Sequence, residues 1–257
     1  MTFQTLPLTG ERTVPGVDIE RYWFLRHEVV YRWLAQRWRA DRLGPSAAGA
    51  AALVDAGCGE GYGADLLAEA LADAVIGLDY DAVTIGHVAA SYPRVRAVRG
   101  NLAAFPLADE SVSAVVSLQV IEHLWDLAGF LAECRRVTVP GGAIAVSTPN
   151  RPVFSPGLPR RAKPTNPFHV EEFDADQVAG MLRHAGFVDV QVLGLHHGDR
   201  LVAWEAAHGP LVAAHVGAAL TGRWPAELLA LLPTLTPDDF RIGEPDGAHD
   251  LIGLGTR

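Results

Sequence analysis

Leu53-Val-Asp-Ala-Gly-Cys-Gly-Glu-Gly-Tyr-Gly63 decides the fold: an apolar strand runs straight into a glycine-rich turn, and helical spacing follows from Ala64 to Ala72. At Gly57, Gly59 and Gly61 the backbone can pass close beneath a ligand where a side chain would collide, so a site belongs at the carboxyl end of this strand. A glycine turn alone is shared by several classes of nucleotide-cofactor enzyme, and the surrounding residues must choose among them.

Working outward, short apolar runs alternate with helical ones. Ala52 to Asp55, Ala74 to Asp79, Val95 to Arg99, Val112 to Leu118 and Gly142 to Ser147 read as buried strands. Ala64 to Ala72, Ala82 to Ser91 and Trp125 to Val137 read as helices, and the alternation predicts a parallel sheet with right-handed crossovers. Downstream, Asp174 caps a helix through His184 that stops at Gly186, and a strand follows at Val188 to Leu195. Leu211 to Leu220 and Pro225 to Leu232 read as helices before a last strand near Asp250 to Leu254. Upstream, residues 18 to 42 carry Ile19, Tyr22, Trp23, Val29, Val30, Trp33, Leu34 and Trp38 at near-helical spacing, an aromatic stripe suited to a core contact. Arg151 to Phe168 reads as a Pro-rich loop, long enough for a lid. These elements predict one α/β domain over residues 1–257: a doubly wound, Rossmann-like seven-stranded sheet, mostly parallel with one antiparallel strand and helices on both faces. An N-terminal helical cap would occupy 1–50, the cofactor-binding core 51–195, and a helical insertion with the last strand 196–257.

Composition bounds the partners. A chain of 257 residues that is 49% hydrophobic can bury one full core. The formal net charge of -9 argues against a nucleic-acid partner, because phosphate binding needs clustered Lys and Arg. Arg160, Arg161 and Lys163 form a local exception, either a contact for an anionic substrate or a solvated basic loop. No stretch approaches a membrane span, the first fifteen residues do not read as a secretory signal, and the two cysteines, Cys58 and Cys134, have no metal or disulfide spacing. A cytoplasmic protein is the expectation, with a homodimer left open.

Two groups of residues carry the chemistry. Asp55, two residues before Gly57, can hold an ammonium, whereas it would repel a pyrophosphate. Asp79 ends the second strand, where a carboxylate can accept both hydroxyls of a ribose, with Tyr80 beside it. Asn101-Leu102 closes the third strand and can bond and cover an adenine. In the second group Gln119, Glu122 and His123 are spaced to share one face of a helical turn after the fourth strand, with His169 further on. Two imidazoles, a carboxylate and a carbonyl oxygen suit a divalent cation. The alternative is metal-free: His123 or His169 takes a proton as general base, oriented by Glu122. A helix cap by Glu122 beside satisfied histidines is the plain structural reading. His196-His197 begins a loop that could reach a substrate.

The sequence resembles the class I methyltransferases, and within them the type 11 branch. The resemblance is carried by Asp55-Ala-Gly-Cys-Gly-Glu-Gly61, Asp79, Asn101-Leu-Ala-Ala-Phe-Pro106, Val120-Ile-Glu-His123 and Pro140-Gly-Gly142, over about residues 50 to 195. It implies S-adenosylmethionine (SAM) as cofactor, with Asp55, Gly57, Gly59, Gly61, Asp79, Tyr80, Asn101, Leu102 and Gln119 around it. The family commonly has an acidic residue where Asn101 stands. The second group is similar to the Glu-x-x-Glu-His with a distant His of metal-assisted O-methyltransferases acting on small-RNA ends and quinone precursors. Gln119 replaces one charged ligand there, so a Mg2+ site of Glu122, His123 and His169 would be weakened.

A narrower resemblance joins Leu8-Thr-Gly-Glu-Arg-Thr-Val-Pro15, Tyr22-Trp-Phe24 and Arg26-His27 to Val120-Ile-Glu-His-Leu-Trp-Asp126, Ser147-Thr-Pro-Asn150 and Asn166-Pro-Phe-His169. It is to actinobacterial methyltransferases linked to 6-O-methylglucose lipopolysaccharide assembly, and it implies a sugar hydroxyl or oligosaccharide as acceptor. An alcohol is a poor nucleophile at neutral pH, so a base or a cation must help remove its proton. Tyr22, Trp23, Phe24 and Trp125 offer flat faces for a ring, and Arg26-His27 could fold over the cofactor. Three rivals remain: a methyltransferase for a quinone, lipid or other small metabolite, a nicotinamide oxidoreductase, and a non-catalytic SAM-binding protein.

Overall fold

A computed structural model of the chain describes residue 6 and residues 13–41, 52–71, 74–164 and 166–257. The expected linker at 44–51 and residues 8–12 of the N-terminal motif lie outside the described residues.

Seven consecutive buried residues, Val-Ser-Ala-Val-Val-Ser-Leu, make β4 (Val112–Leu118) the centre of the sheet. A strand covered on both faces must be apolar throughout or satisfy its polar groups internally. Ser113 and Ser117 do the latter, donating to the carbonyls of Ala52 and Ala56 at 2.8 and 2.7 Å. Around β4 the strands β1 (Ala52–Ala56), β2 (Ala74–Asp79), β3 (Val95–Arg99), β5 (Thr138–Pro149), β6 (Val188–His197), β7 (Phe240–Gly243) and β8 (Asp250–Thr256) complete one sheet. Its order is β3-β2-β1-β4-β5-β8-β6-β7.

β1 to β5 pair in parallel, whereas β8 runs antiparallel to both β5 and β6, and β7 runs antiparallel to β6. The sheet therefore has eight strands with two reversed, not seven with one. The extra strand, β7, is four residues between Pro237 and Pro245, too short to show an alternation in the sequence. It forms only by pairing with the end of β6, from Gly194 to His197. That end is also two residues longer than the sequence suggested.

Helices cover both faces. On one, Tyr22, Leu25 and Leu34 of α1 (Arg21–Asp41) pack with Leu67 of α2 (Tyr62–Leu71) and with Leu201 and Leu211 of α7 (Asp199–His208) and α8 (Leu211–Thr221). On the other lie Phe130 and Leu131 of α4 (Leu127–Val137) and Val178 and Leu182 of α6 (Ala175–His184). α3 (Ala82–Ser91) and α9 (Ala226–Leu231) complete the expected helices. Asp174 and Gln177 close a reciprocal capping box on α6, and Gly186 ends it with φ of +88°. The expected Arg151–Phe168 loop opens with a short helix, α5 (Arg151–Phe154), which Pro152 starts. Arg160 does not await an anion: with Arg151 it pairs with Asp174, while Arg161 and Lys163 are exposed.

Gly63 shows how tightly α1 is set on α2. A Cβ there would lie 2.2 Å from the Tyr31 ring, which is buried and tied through its hydroxyl to Asp55. Gly63→Ala is expected to cost about 1–3 kcal/mol through this overlap. Thermal denaturation checks it, and an unchanged midpoint would mean that the contact between α1 and α2 yields freely.

Candidate active site

A cleft of about 710 Å3 opens beyond the ends of β1, β2 and β4. Its lining is drawn from the glycine turn (Gly57, Cys58, Gly59, Glu60), the end of β2 (Asp79, Tyr80, Asp81), Leu102, and the segment after β4 (Leu118 to Val120, His123, Leu124). Thr13, His27, Tyr31 and Tyr62 form a further wall, so the N-terminal segment takes part in enclosing the cleft. That size suits a nucleoside cofactor.

The turn is built for close approach. Gly57 and Gly59 adopt φ of +79° and +51°, and the amides of Gly57 and Cys58 both donate to the Leu78 carbonyl, at 2.8 and 3.1 Å. A Cβ on Gly59 would meet nothing within 4 Å, whereas one on Gly57 would lie 2.6 Å from Val120 Cγ2. Asp79 is held from two sides: Oδ2 accepts from Gly59 N at 3.2 Å and Oδ1 from Asp81 N at 3.0 Å. Its carboxylate thus stands at the cleft with fixed orientation. Glu60 accepts from His87 Nε2 at 2.7 Å and from the Tyr92 hydroxyl, so the histidine that α3 carries has a partner in the cleft wall.

Asp55 is placed differently from the expectation. It is fully buried and is not on the cleft wall; Tyr31 is, and its hydroxyl donates to both Asp55 oxygens at 3.1 Å. In this arrangement Tyr31, and not the Asp55 carboxylate itself, faces the cleft. Burial pushes the Asp55 carboxyl up to about 7, with Tyr31 opposing and Asp79 reinforcing the shift. Because the folded value lies above the unfolded one, the stabilisation from keeping this group protonated is complete below the ordinary aspartate value of 3.8 and is lost as pH rises through about 7. Asp55→Asn removes this loss. Without ligand, its melting temperature relative to wild type should be higher at pH 8 than at pH 5; a difference independent of pH would contradict the shift.

Other expected contacts move as well. Asn101 faces a neighbouring recess with Tyr80, Arg99 and Gly100, and its Oδ1 accepts from Ala103 N at 2.9 Å, so Leu102 alone of that pair lines the main cleft. Gln119 does not share a helical face with Glu122 and His123. It stands before the single 3-10 turn Ile121–His123, at φ of +56°, with its amide N–H on the Ser147 carbonyl at 2.9 Å. Arg26 does not fold over the cleft, because it is buried in a bidentate ion pair with Asp250. His27 does line it, bonded to the Tyr62 hydroxyl at 3.1 Å, and burial lowers its pKa to about 3, so it is neutral. Tyr22 is fully buried, with its hydroxyl on His197 Nε2 at 2.8 Å, which removes both residues from substrate contact. Trp125 is 90% exposed. Cys58 is buried in the core and also borders the cleft.

Beyond β4, Glu122, His123 and His169 each place a potential ligand atom within 4.8 Å of the others. Glu122 is 1% exposed, and burial raises its pKa against the opposing pull of His123. Its Oε2 accepts from Thr148 Oγ1 at 3.0 Å, and its Oε1 lies 3.9 Å from His123 Nε2. His123 is on the cleft wall, whereas His169 sits behind it, rings edge to face at 5.0 Å between centroids. Both His169 nitrogens are in hydrogen bonds, Nδ1 with Glu172 at 2.8 Å and Nε2 with Asn166 at 3.0 Å.

This donor set does not fit Mg2+, which requires mostly oxygen ligands in an octahedron. Glu122 is the single carboxylate of the group, the Gln119 side-chain amide donates to Ser147 Oγ at 3.2 Å and offers only a neutral oxygen, and His169 would have to break a hydrogen bond to ligate. A second group, His197, Glu205 and His249, is also close, but its two imidazoles stack at 3.7 Å and 24°, so an ion between them would lie outside both ring planes.

The strand order and a carboxylate-rimmed glycine cleft at the strand ends define a transferase of the class I methyltransferase architecture. Comparison with known proteins agrees. A family model described as a methyltransferase domain, of type 11, matches residues 54–146. A probable S-adenosylmethionine-dependent methyltransferase of Mycobacterium tuberculosis is 47% identical over 260 residues, 98% of this chain and 90% of that one. One from Mycolicibacterium smegmatis is 49% identical, covering 98% and 95%. Among solved structures, SAM-dependent methyltransferases of Thermotoga maritima and Archaeoglobus fulgidus share the fold. Their TM-scores are 0.57 and 0.56, each at 18% identity, covering 91% and 92% of this chain and 93% and 99% of theirs. The chain belongs to the S-adenosylmethionine-dependent methyltransferases. Among the described residues no helix is long and apolar enough to cross a membrane.

Proposed function

We propose that the protein transfers the methyl group of SAM to a sugar hydroxyl in methylated polysaccharide assembly, with His123 as general base. The observation that carries this is the position of His123, on the wall of the cleft that Asp79 shares and 3.9 Å from the buried Glu122 carboxylate. Transfer forms an O–CH3 bond as the C–S bond of the sulfonium breaks, its electron pair remaining on sulfur. The acceptor proton passes to His123 Nε2, and Glu122 balances the imidazolium that results. Asp79 would hold the ribose of SAM, and the cleft lined by Gly57, Gly59, Leu102 and Tyr31 would orient the sulfonium. The resemblance of Ser147-Thr-Pro-Asn150 and Asn166-Pro-Phe-His169 to the 6-O-methylglucose lipopolysaccharide enzymes supports a carbohydrate. The exposed ring of Phe168, on the same cleft wall as His123, gives a sugar a flat face to lie on.

A phenolic quinone precursor is the second reading. A ubiquinone biosynthesis O-methyltransferase of Sinorhizobium medicae is 32% identical over 63% of this chain. Radiolabelled SAM offered with α-1,4-linked glucose oligosaccharides, and separately with a catechol, separates the two. Label in the oligosaccharide is expected; label in the catechol alone would replace the sugar by the phenol. EDTA should leave turnover unchanged, because base catalysis by His123 uses no cation. Loss of turnover on chelation, restored by Mn2+ or Mg2+, would overturn the metal-free mechanism.

A further inference from the structure

The loop between α5 and α6 carries a chain of hydrogen bonds whose donors and acceptors constrain where the imidazole protons sit. Asn166 Oδ1 accepts from the Phe168 N–H at 3.0 Å, which turns the amide so that Nδ2 faces His169 Nε2 at 3.0 Å. An amide nitrogen only donates, so His169 Nε2 is the acceptor and the ring proton sits on Nδ1. There it donates to Glu172 Oε1 at 2.8 Å. Although burial opposes it, the bond from His169 and the charge of Arg151 hold the Glu172 carboxyl below the usual carboxylate range, so Glu172 acts as acceptor.

The same loop reaches His123. The Phe168 carbonyl lies 3.0 Å from His123 Nδ1, and a carbonyl only accepts, so His123 carries a proton on Nδ1 and, in the neutral ring, its lone pair is on Nε2. Two backbone bonds, from Val170 N and Glu171 N to the Glu122 carbonyl at 2.7 and 3.3 Å, fasten the loop to the turn that bears His123. His169 and Glu172 are 9% and 2% exposed, so water does not compete for these bonds. Charged groups near the two imidazoles include Glu122, with Arg26 acting on it, Glu172 and, beyond Glu172, Arg151.

We infer that Asn166 and Glu172 are positioning residues for methyl transfer: they lock His169 in its Nδ1–H tautomer and, through the Phe168 carbonyl, present the His123 Nε2 lone pair to the acceptor. The inference rests on the reading of His123 as base. It assigns to a hydrogen-bonded clamp the cluster that its composition alone would assign to a metal.

The test uses the full chain labelled with 15N-histidine, bound to S-adenosylhomocysteine, with ring nitrogens observed by NMR. Wild type should show both His123 and His169 as Nδ1–H tautomers. Asn166→Asp keeps the acceptor for Phe168 N–H but reverses the partner of His169, so His169 should gain a proton on Nε2 while His123 is unchanged. Glu172→Ala should release His169 toward the Nε2–H form and lower kcat about tenfold with KM unchanged, part of the roughly 10²–10⁴ that a positioned base contributes. Glu172→Asp should recover part of that loss. S-adenosylhomocysteine affinity, unchanged in all three variants, shows that they remain folded. An Nε2–H tautomer of either histidine in wild type, or unaltered kcat in Glu172→Ala, would overturn the clamp. Full turnover in His123→Ala would instead remove the base reading beneath it, leaving the tautomer assignment standing.

Discussion

Replacing Asp79 by alanine should weaken S-adenosylhomocysteine binding by about a hundredfold or more, measured by calorimetry. A carboxylate offers about four acceptor sites. Gly59 N and Asp81 N take two and fix the group's orientation, which leaves it able to receive a ribose. Two hydrogen bonds to a charged acceptor, at about 1.5–3 kcal/mol each, account for a loss of this size. Alanine also strips the Gly59 amide of its partner, so the cradle beneath the cofactor loosens. Asp79→Asn keeps one acceptor oxygen and should fall between alanine and wild type. A folded Asp79→Ala protein that binds with wild-type affinity would place the ribose elsewhere.

His123→Ala should lower kcat by about 10²- to 10⁴-fold, the usual contribution of a general base, while S-adenosylhomocysteine affinity changes little. The separation follows from position: His123 follows β4, beside Glu122 and Phe168, whereas Asp79 ends β2, with β1 between the two strands in the sheet. Glu122→Gln should cost less in turnover, because it removes the balancing charge but leaves the imidazole. It should also add stability, since the Glu122 carboxyl is completely buried and burial disfavours its charged form. If both variants bound S-adenosylhomocysteine poorly, His123 would belong to cofactor binding and not to proton transfer.

Much of the fold could be read from hydrophobic runs, because a strand buried on both faces must be apolar along its whole length. β4, with all seven residues buried, is the clearest case. β7 could not be read, because Phe240–Gly243 has no pattern of its own and pairs only where the end of β6 arrives beside it. Asp79 and the glycine turn were legible for a similar local reason: a strand, a turn and a helix fix their relative positions within a few residues. Tyr31, Tyr62 and Thr13 were not legible as cleft residues. On α1, Tyr31 belongs to the same apolar stripe as Leu34 and Trp38, and spacing cannot tell a core aromatic from one whose hydroxyl meets a buried carboxylate. Glu172 had no signal beyond its place three residues after His169.

The doubly wound sheet, the glycine cradle with Asp79 beside it, and the proximity of Glu122 to His123 were all legible in the residues alone, since each depends on residues close together in the chain. That Asp55 sits behind Tyr31, that Arg26 pairs with Asp250, that the Gln119 side chain bonds Ser147, and that His169 stands behind His123 with both nitrogens engaged came only from the tertiary structure. These are pairings between segments tens to hundreds of residues apart. A side chain's hydrogen-bond partner there is set by how helices and loops dock on the sheet, which residue type and local spacing do not encode.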